Sequence, residues 1–354
     1  RSSEKLSKKH DQPFFLACGI YRPHEPWFVP KKYFDPFPLD KTQLPPGYKA
    51  DDLEDLPPEG KRRGPNRYFA HIRKHKQWRP AVQAYLASIY FADTMLGHVL
   101  DALEKGPNAG NTILVLWSDH GWHLGEKQHW QKFTAWRAST RVPLIVRVPK
   151  GAPGLPSGTK SAVCVRPVSL LSLAPTLLQL SGLPPHKNHH GPSLVPLLKN
   201  PKDAWPHTAV THLDQPGSFA LSAERFRYIH YASGGEELYD TKTDPYEWRN
   251  LANDKQHAAT LKRLRALAST KFAKAVAPKI TSMPALKWNP LGANTKTPTS
   301  KPAGGTFDVI FINSTSKPVQ LFWMNPNGGR KHYATLPPGK QRRQSTRPGA
   351  IWQI

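Results

Sequence analysis

The 354-residue chain is short of several things. It has two cysteines, Cys18 and Cys164. Both sit in apolar surroundings, FFLACGI and AVCVRPV, and read as buried thiols; so few leave the redox compartment open. No apolar run approaches the ~18 residues of a membrane-spanning helix, so no membrane span is expected. The first residue is Arg1, and no charged start followed by an apolar stretch reads as a signal peptide. Acid is scarce: 25 Asp and Glu face 50 Lys and Arg, a formal charge of +25. Such a balance favours anionic partners. Nucleic acid is not expected among them, because no helix-turn-helix, zinc finger or ribonucleoprotein motif is present.

What is present suggests two or three domains. Val82, Tyr85, Leu86, Ile89, Met95, Leu96, Val99, Leu100 and Leu103 recur at helical steps, and Gly106-Pro107 stops that helix. Residues 168–183 read as a second apolar helix, with a turn or kink at Pro175. QPFFLACGI, Thr112–Trp117 and RVPLIVRVP read as buried strands. Strands alternating with helices imply an α/β fold with a mainly parallel sheet flanked by helices. SFALSAERFRYIHY and EELYD read as short strands of a small antiparallel subdomain, closed by a helix from Gln256. Residues 276–306 read as a Pro-, Thr- and Lys-rich linker, and residues 307–354 alternate strands with turns.

The stretch LWSDHGWHLGEKQHWQK carries the chemistry. An apolar strand ends at Asp119 and His120, and ligands of open α/β sheets bind beyond strand carboxyl ends. A carboxylate there suits a hard cation, Ca²⁺ or Mg²⁺. His120 serves as a second ligand or as a hydrogen-bond donor, and Gly121 permits a tight turn. His120, His123 and His129 fit no standard zinc spacing. His123 and His129 read as pocket wall; Trp122 and Trp130 read as buried packing, with sugar stacking the alternative.

SDHGWHLGEKQHWQKF…TRVPLIVRVP, PFFLACGIYRPHEPW, VSLLSLAPTLLQLSGL, GPSLVPLL and ELYDTKTDPYEWRNLA together resemble the second half of a sulfatase. The branch is the iduronate-2-sulfatase-like and choline-sulfatase-like one of the alkaline-phosphatase superfamily. Five motifs in order over about residues 10–275 carry the resemblance. It implies a sulfatase α/β domain over 1–204, incomplete, and a C-terminal subdomain over 205–275. It implies that Asp119 and His120 are a metal pair, with Ca²⁺ the usual ion and Mg²⁺ second. It implies that Lys132 contacts the sulfate, and that His24 contacts the sulfate or the leaving oxygen. The family's nucleophile is a formylglycine made from cysteine in C-x-P-x-R. That motif is absent: Gly-Ile-Tyr-Arg follows Cys18, and Val-Arg-Pro-Val follows Cys164. The family's early acidic pair is absent too. The expectation is the C-terminal portion of an exported sulfatase acting on sulfated glycans or other sulfate esters, inactive alone. The alternatives are a phosphodiesterase or phosphonate hydrolase of the same superfamily, and a non-catalytic binding or adhesion protein.

Residues 309–354 resemble the β domain of the von Hippel–Lindau family, a small β-sandwich that recognises a hydroxyproline peptide. The resemblance implies a partial sandwich, truncated at its end, with a peptide or protein partner. Trp323, Tyr333, Thr346 and Trp352 fall on its pocket-lining positions, but Ala350 stands at the pocket's histidine position. Asn313 lies in an N-S-T glycosylation sequon.

Overall fold

The computed structural model describes residues 2–269 and 298–354, so most of the expected 276–306 linker and the end of the closing helix lie outside the described residues. Two compact units form, Arg1–Val276 and Ala277–Ile354.

In the first unit the expected long helix runs from Trp78 to Glu104. It buries Val82, Ala87, Ser88 and Leu103, while Ile89 of the expected apolar stripe is exposed. A shorter helix, Arg67–Lys74, starts where the Asn66 side chain accepts the Phe69 amide at 2.9 Å. It forms in a region whose sequence reads as loop. The expected helix over 168–183 contracts to a 3₁₀ turn, Leu170–Ser172, followed by Leu173–Leu180.

Strand β1 is Leu114–Trp117, and a two-residue hairpin, β2 His123–Leu124 with β3 Trp130–Gln131, follows it. Strand β4 is Leu144–Arg147. It pairs with β1 antiparallel, from Leu114↔Arg147 to Trp117↔Leu144. This corrects the mainly parallel sheet: every ladder among the described residues is antiparallel. A parallel partner needs a crossover that carries the chain back along the sheet. The 118–143 segment instead folds at the end where β1 stops and returns from there.

The QPFFLACGI strand does not form. Phe15 is 84% exposed, and the segment finds no pairing strand among the described residues. Cys18 and Cys164 are exposed, not buried. β1 and β4 are only partly buried, with Trp117 and Ile145 exposed.

Strands β5 Ala209–His212, β6 Phe219–Ser222, β7 Phe226–His230 and β8 Glu236–Asp240 form an antiparallel meander in that order. Period-two alternation gives it two faces. Phe219, Leu221, Tyr228 and Leu238 face the closing helix Ala258–Ser269 through Leu261, Leu264 and Ala268. Ala220, Ile229 and Tyr239 face the other way, against Leu56, Ala135 and Trp136. That second face holds the loop after β3. Leu264 is fully buried, so Leu264→Ala should cost about 2–5 kcal/mol, read from the urea midpoint. A cost under ~1 kcal/mol would mean the helix is not part of this core.

The second unit holds two antiparallel sheets. One pairs β9 Phe307–Ile312 with β12 Gln341–Thr346. The other runs β11 Arg330–Leu336, β10 Val319–Met324, β13 Ile351–Gln353. Val309, Leu321, Met324 and Leu336 are its buried apolar residues. Asn313 is 3% exposed, and its amide nitrogen donates to Lys317 O and Leu336 O, each at 2.8 Å. Both amide hydrogens are used inside the fold, so the sequon is a turn device and not an accessible glycan acceptor.

Candidate active site

β1 ends at Trp117 and delivers Asp119 and His120 immediately after it. Gly121 makes the next step possible: its amide donates to Ser139 O at 2.7 Å, and a Cβ there would lie 2.1 Å from Ala138 O. The loop 127–133 then places four non-glycine residues in the left-handed region: Lys127 (φ 54°), Gln128 (49°), Gln131 (79°) and Phe133 (71°). Each such residue costs of order 1 kcal/mol and persists only where its surroundings fix it.

The surroundings here are specific. Lys127 Nζ bonds Asp52 Oδ1 at 2.7 Å and also reaches the Glu247 carbonyl. His129 Nδ1 lies 2.7 Å from Arg63 O, and its Nε2 lies 3.0 Å from Lys132 O. Asn66 Nδ2 donates to Trp130 O at 2.7 Å, Gln131 Nε2 to the Glu25 carboxylate, and Arg63 to Phe133 O at 3.2 Å. The residues before and after Lys132 are both held in unusual backbone conformations, and the lysine is aimed as a result.

Lys132 Nζ sits 2.8 Å from His24 Nε2 and 2.8 Å from His120 Nε2. The tautomers follow from the other ring nitrogens. His24 Nδ1 is 2.7 Å from Glu25 O, and His120 Nδ1 is 2.8 Å from Gly121 O. Carbonyls only accept, so each Nδ1 carries the hydrogen and each Nε2 accepts from the ammonium. Trp122, 9% exposed, forms the floor: its ring centroid lies 5.2 Å from that of His24 and 6.1 Å from that of His120. Lys132 makes no ion pair with a carboxylate among the described residues. The centre is therefore a half-buried cation with one N–H left to donate, which suits an anion.

Asp119 stands at the edge, its side chain 84% exposed and Oδ2 3.7 Å from His120 Nε2. Its oxygens make no hydrogen bond among the described residues, as suits a carboxylate available to a hard cation. No group of three or more His, Cys, Asp or Glu side chains able to hold a metal occurs among the described residues. Calcium takes about 6–8 oxygen ligands. Asp119 thus fits as a contributor to a metal site and not as the whole of one, whereas both ring nitrogens of His120 are engaged, by Gly121 O and by Lys132.

The other histidines lie deeper. His123 is fully buried, 3.0 Å from Glu126 O and 2.8 Å from Thr134 Oγ1, and burial lowers its pKa well below the ordinary value. His129 is buried too, and its pKa is lowered by the same cause. Both stand behind the site, not in its wall. Trp130 is core. Sequence reasoning missed the buried ionic cluster behind the loop. Lys127, Asp52, Glu247 and Arg227 come from four distant segments, and Arg227 Nε lies 3.2 Å from Glu247 Oε1. Trp136 Nε1 and the Tyr231 and Tyr239 hydroxyls all donate to Glu237 at 2.7 Å. No local spacing announces such a cluster.

In the second unit Trp352 Nε1 donates to Thr346 Oγ1 at 2.9 Å, and the Tyr333 ring stands 4.9 Å from Trp352, edge to face. Trp323 is opposite Trp352 in the β10–β13 ladder. The four tail residues therefore converge around Trp352.

A strand-end acid and histidine, a lysine between two imidazoles and an antiparallel subdomain thus come together in the first unit. The sulfatase family model matches residues 1–183, and the chain belongs to that family. The model for the C-terminal region of N-sulphoglucosamine sulphohydrolase matches residues 125–273, and the VHL β domain model matches residues 300–354. A sulfatase of Formosa agariphila is 41% identical over 269 residues, covering 75% of this chain and 51% of the relative. Mouse iduronate 2-sulfatase is 28% identical, covering 75% of this chain and 62% of the relative. The chain thus spans about half to three-fifths of these relatives' lengths. The phosphonate monoester hydrolase of Agrobacterium radiobacter shares the fold, with a TM-score of 0.59 at 23% identity, over 76% of this chain and 59% of that one. No helix among the described residues is long and apolar enough to cross a membrane.

Proposed function

We propose that the chain supplies the sulfate-binding and leaving-group side of an exported sulfuric ester hydrolase that acts on sulfated glycans. The observation that carries this is the Lys132 ammonium, held 2.8 Å from the Nε2 atom of each of two imidazoles, with no ion pair to a carboxylate among the described residues. A sulfate ester is an anion whose bridging oxygen gains charge as the S–O bond breaks. Lys132 directs its remaining N–H at a sulfate oxygen. His24 stands beside that ammonium, placed to contact the sulfate or the departing oxygen; the proton that oxygen takes up comes from the Lys132 ammonium, since His24 Nε2 carries none. Trp122 closes the site from below with an apolar ring, so the Lys132 contacts are sheltered on that side.

Asp119 would hold Ca²⁺, with Mg²⁺ the second choice, alongside carboxylates from beyond these residues, and His120 would join it only by exchanging the Lys132 ammonium at Nε2 for the cation. Such a cation supplies charge stabilisation for the sulfate oxygens. A formylglycine is the nucleophile the family relationship implies, and neither cysteine of this chain lies in its motif. The glycan assignment is supported by the name of one relative, an iduronate 2-sulfatase.

The test is release from a chromogenic aryl sulfate by the complete gene product, with and without chelator. Chelator-sensitive sulfate release is expected. Turnover of a phenylphosphonate monoester in its place would replace this reading with the phosphonate hydrolase one. No turnover of either substrate would leave a binding protein on a sulfatase scaffold.

Phe133 adds a prediction about the alcohol side. Phe133 is 73% exposed, its ring lies 5.7 Å from Lys132 Nζ, and its left-handed backbone is held by Arg63, which donates to its carbonyl. An aromatic contact contributes about 1 kcal/mol, so Phe133→Ala should raise KM for the aryl sulfate roughly fivefold with kcat nearly unchanged. Inhibition by inorganic sulfate should stay the same. An unchanged KM would remove Phe133 from the substrate's path.

A further inference from the structure

We infer that one end of the C-terminal β module is a docking surface for a sulfated polysaccharide chain, separate from the hydrolytic site. Residues 298–354 hold eight Lys and Arg and one acid, Asp308. Asp308 is taken by Arg343, at 2.5 Å. The other seven cations form no ion pair among the described residues.

Strand register decides where four of them go. β10 pairs through Met324↔Arg330 with β11 and through Met324↔Ile351 with β13. The turn before Arg330 and the turn before Ile351 therefore lie at the same end of the sheet. Lys301 joins that end, its amide donating to Gly349 O at 2.9 Å. Lys301, Arg330, Lys331 and Arg347 thus gather there, all exposed. Lys317 and Lys340 lie elsewhere, where Asn313 ties their backbones together.

Aromatic rings are set among these cations. The Arg330 guanidinium lies 4.9 Å from the Phe322 ring centroid, and His332 lies 5.3 Å from the same ring. Lys331 Nζ lies 5.5 Å from the Tyr333 ring, which stands against Trp352. Alternation along β11 puts Arg330, His332 and the half-buried Phe322 on one face and Lys331 and Tyr333 on the other, where Trp352 meets Phe311 of the second sheet, so Phe322 offers ring surface beside Arg330. Grouping like charges disfavours the compact state, and the one acid among these residues, Asp308, is taken by Arg343. A linear polyanion with flat saccharide faces complements both features: its sulfates meet the cations at this end and a saccharide ring lies on Phe322. The choice of a sulfated glycan over nucleic acid rests on the hydrolase reading above; the charge geometry does not.

Surface plasmon resonance of the intact chain on immobilised heparin at 0.15 M salt tests the surface without any turnover. Chondroitin sulfate, hyaluronan and single-stranded DNA are the comparison surfaces. The triple variant Arg330→Gln, Lys331→Gln, Arg347→Gln should weaken heparin binding about tenfold or more. The charge-matched variant Lys9→Gln, Lys41→Gln, Lys74→Gln should change it less than twofold. Both variants should melt within a degree or two of the parent. Binding to the sulfated glycans with weak binding to hyaluronan and DNA supports the inference. Equal loss in the two triple variants, equal binding to DNA or hyaluronan, or no heparin binding overturns it. A chain that turns over no sulfate ester yet shows the expected pattern leaves this surface standing. An active enzyme that fails the pattern sinks the surface alone.

Discussion

Lys132→Ala in the complete protein should lower kcat/KM for an aryl sulfate by about 10²–10³, the usual loss when one preorganised donor to developing charge is removed. Lys132 is the only ammonium bonded to both His24 and His120 among the described residues. Its removal takes away the charge on the sulfate and frees both Nε2 atoms. Lys132→Arg should recover little, because a guanidinium between the imidazoles cannot present the same compact set of donors. The far-ultraviolet spectrum and melting temperature should stay close to the parent's, since the side chain supports no core. Should Lys132→Ala retain more than a tenth of the parent's kcat/KM, Lys132 is not the sulfate contact.

Lys127→Met should destabilise the first unit by about 3–5 kcal/mol, the cost of leaving a buried charge without its partner. Lys127 is 1% exposed and Asp52 is 1% exposed. Burial pushes the Asp52 carboxyl up to about 7 even with Lys127 at 2.7 Å. Its folded pKa is therefore above the unfolded value of 3.8. The Asp52 contribution is present in full below pH 3.8 and is lost as the pH rises through about 7. Without the lysine the carboxyl is pushed higher still, so it stays protonated in the folded variant across that window. The loss of stability in Lys127→Met should accordingly be larger at pH 8 than at pH 5. Urea midpoints at the two pH values decide it. Adding Asp52→Leu should restore part of the loss, because no buried acid then lacks a partner. A pH-independent loss would mean the pair is not the source. The loop carrying Lys132 runs through Lys127, so activity should fall with stability in the single variant.

Much of the fold was legible along the chain. The apolar spacing of Val82 through Leu103 marked the long helix, because a helix on a core needs one apolar stripe. SFALSAERFRYIHY and EELYD marked β6, β7 and β8, because alternation suits a sheet covered on its faces. QPFFLACGI misled. Its residues suit a strand, but a strand exists only with a hydrogen-bonding neighbour. Direction of pairing misled too: the run at β1 resembles a parallel strand, and only the path of 118–143 makes β4 its antiparallel partner.

The sequence by itself determined the chemistry available at the site. Asp119 and His120 had to follow β1 at once, since an apolar run must stop where polar side chains begin. Ordered motifs tied His24 and Lys132 to the same family. Only the tertiary structure brought Lys132 between His24 and His120, 108 and 12 residues away along the chain. It did so through Lys127, Asp52, Glu247 and His129, whose bonds to the loop reach across 75 and 120 residues from Lys127 alone. Local propensity opposes a run of left-handed non-glycine backbone. Contacts between distant segments, buried away from competing water, outweigh that strain.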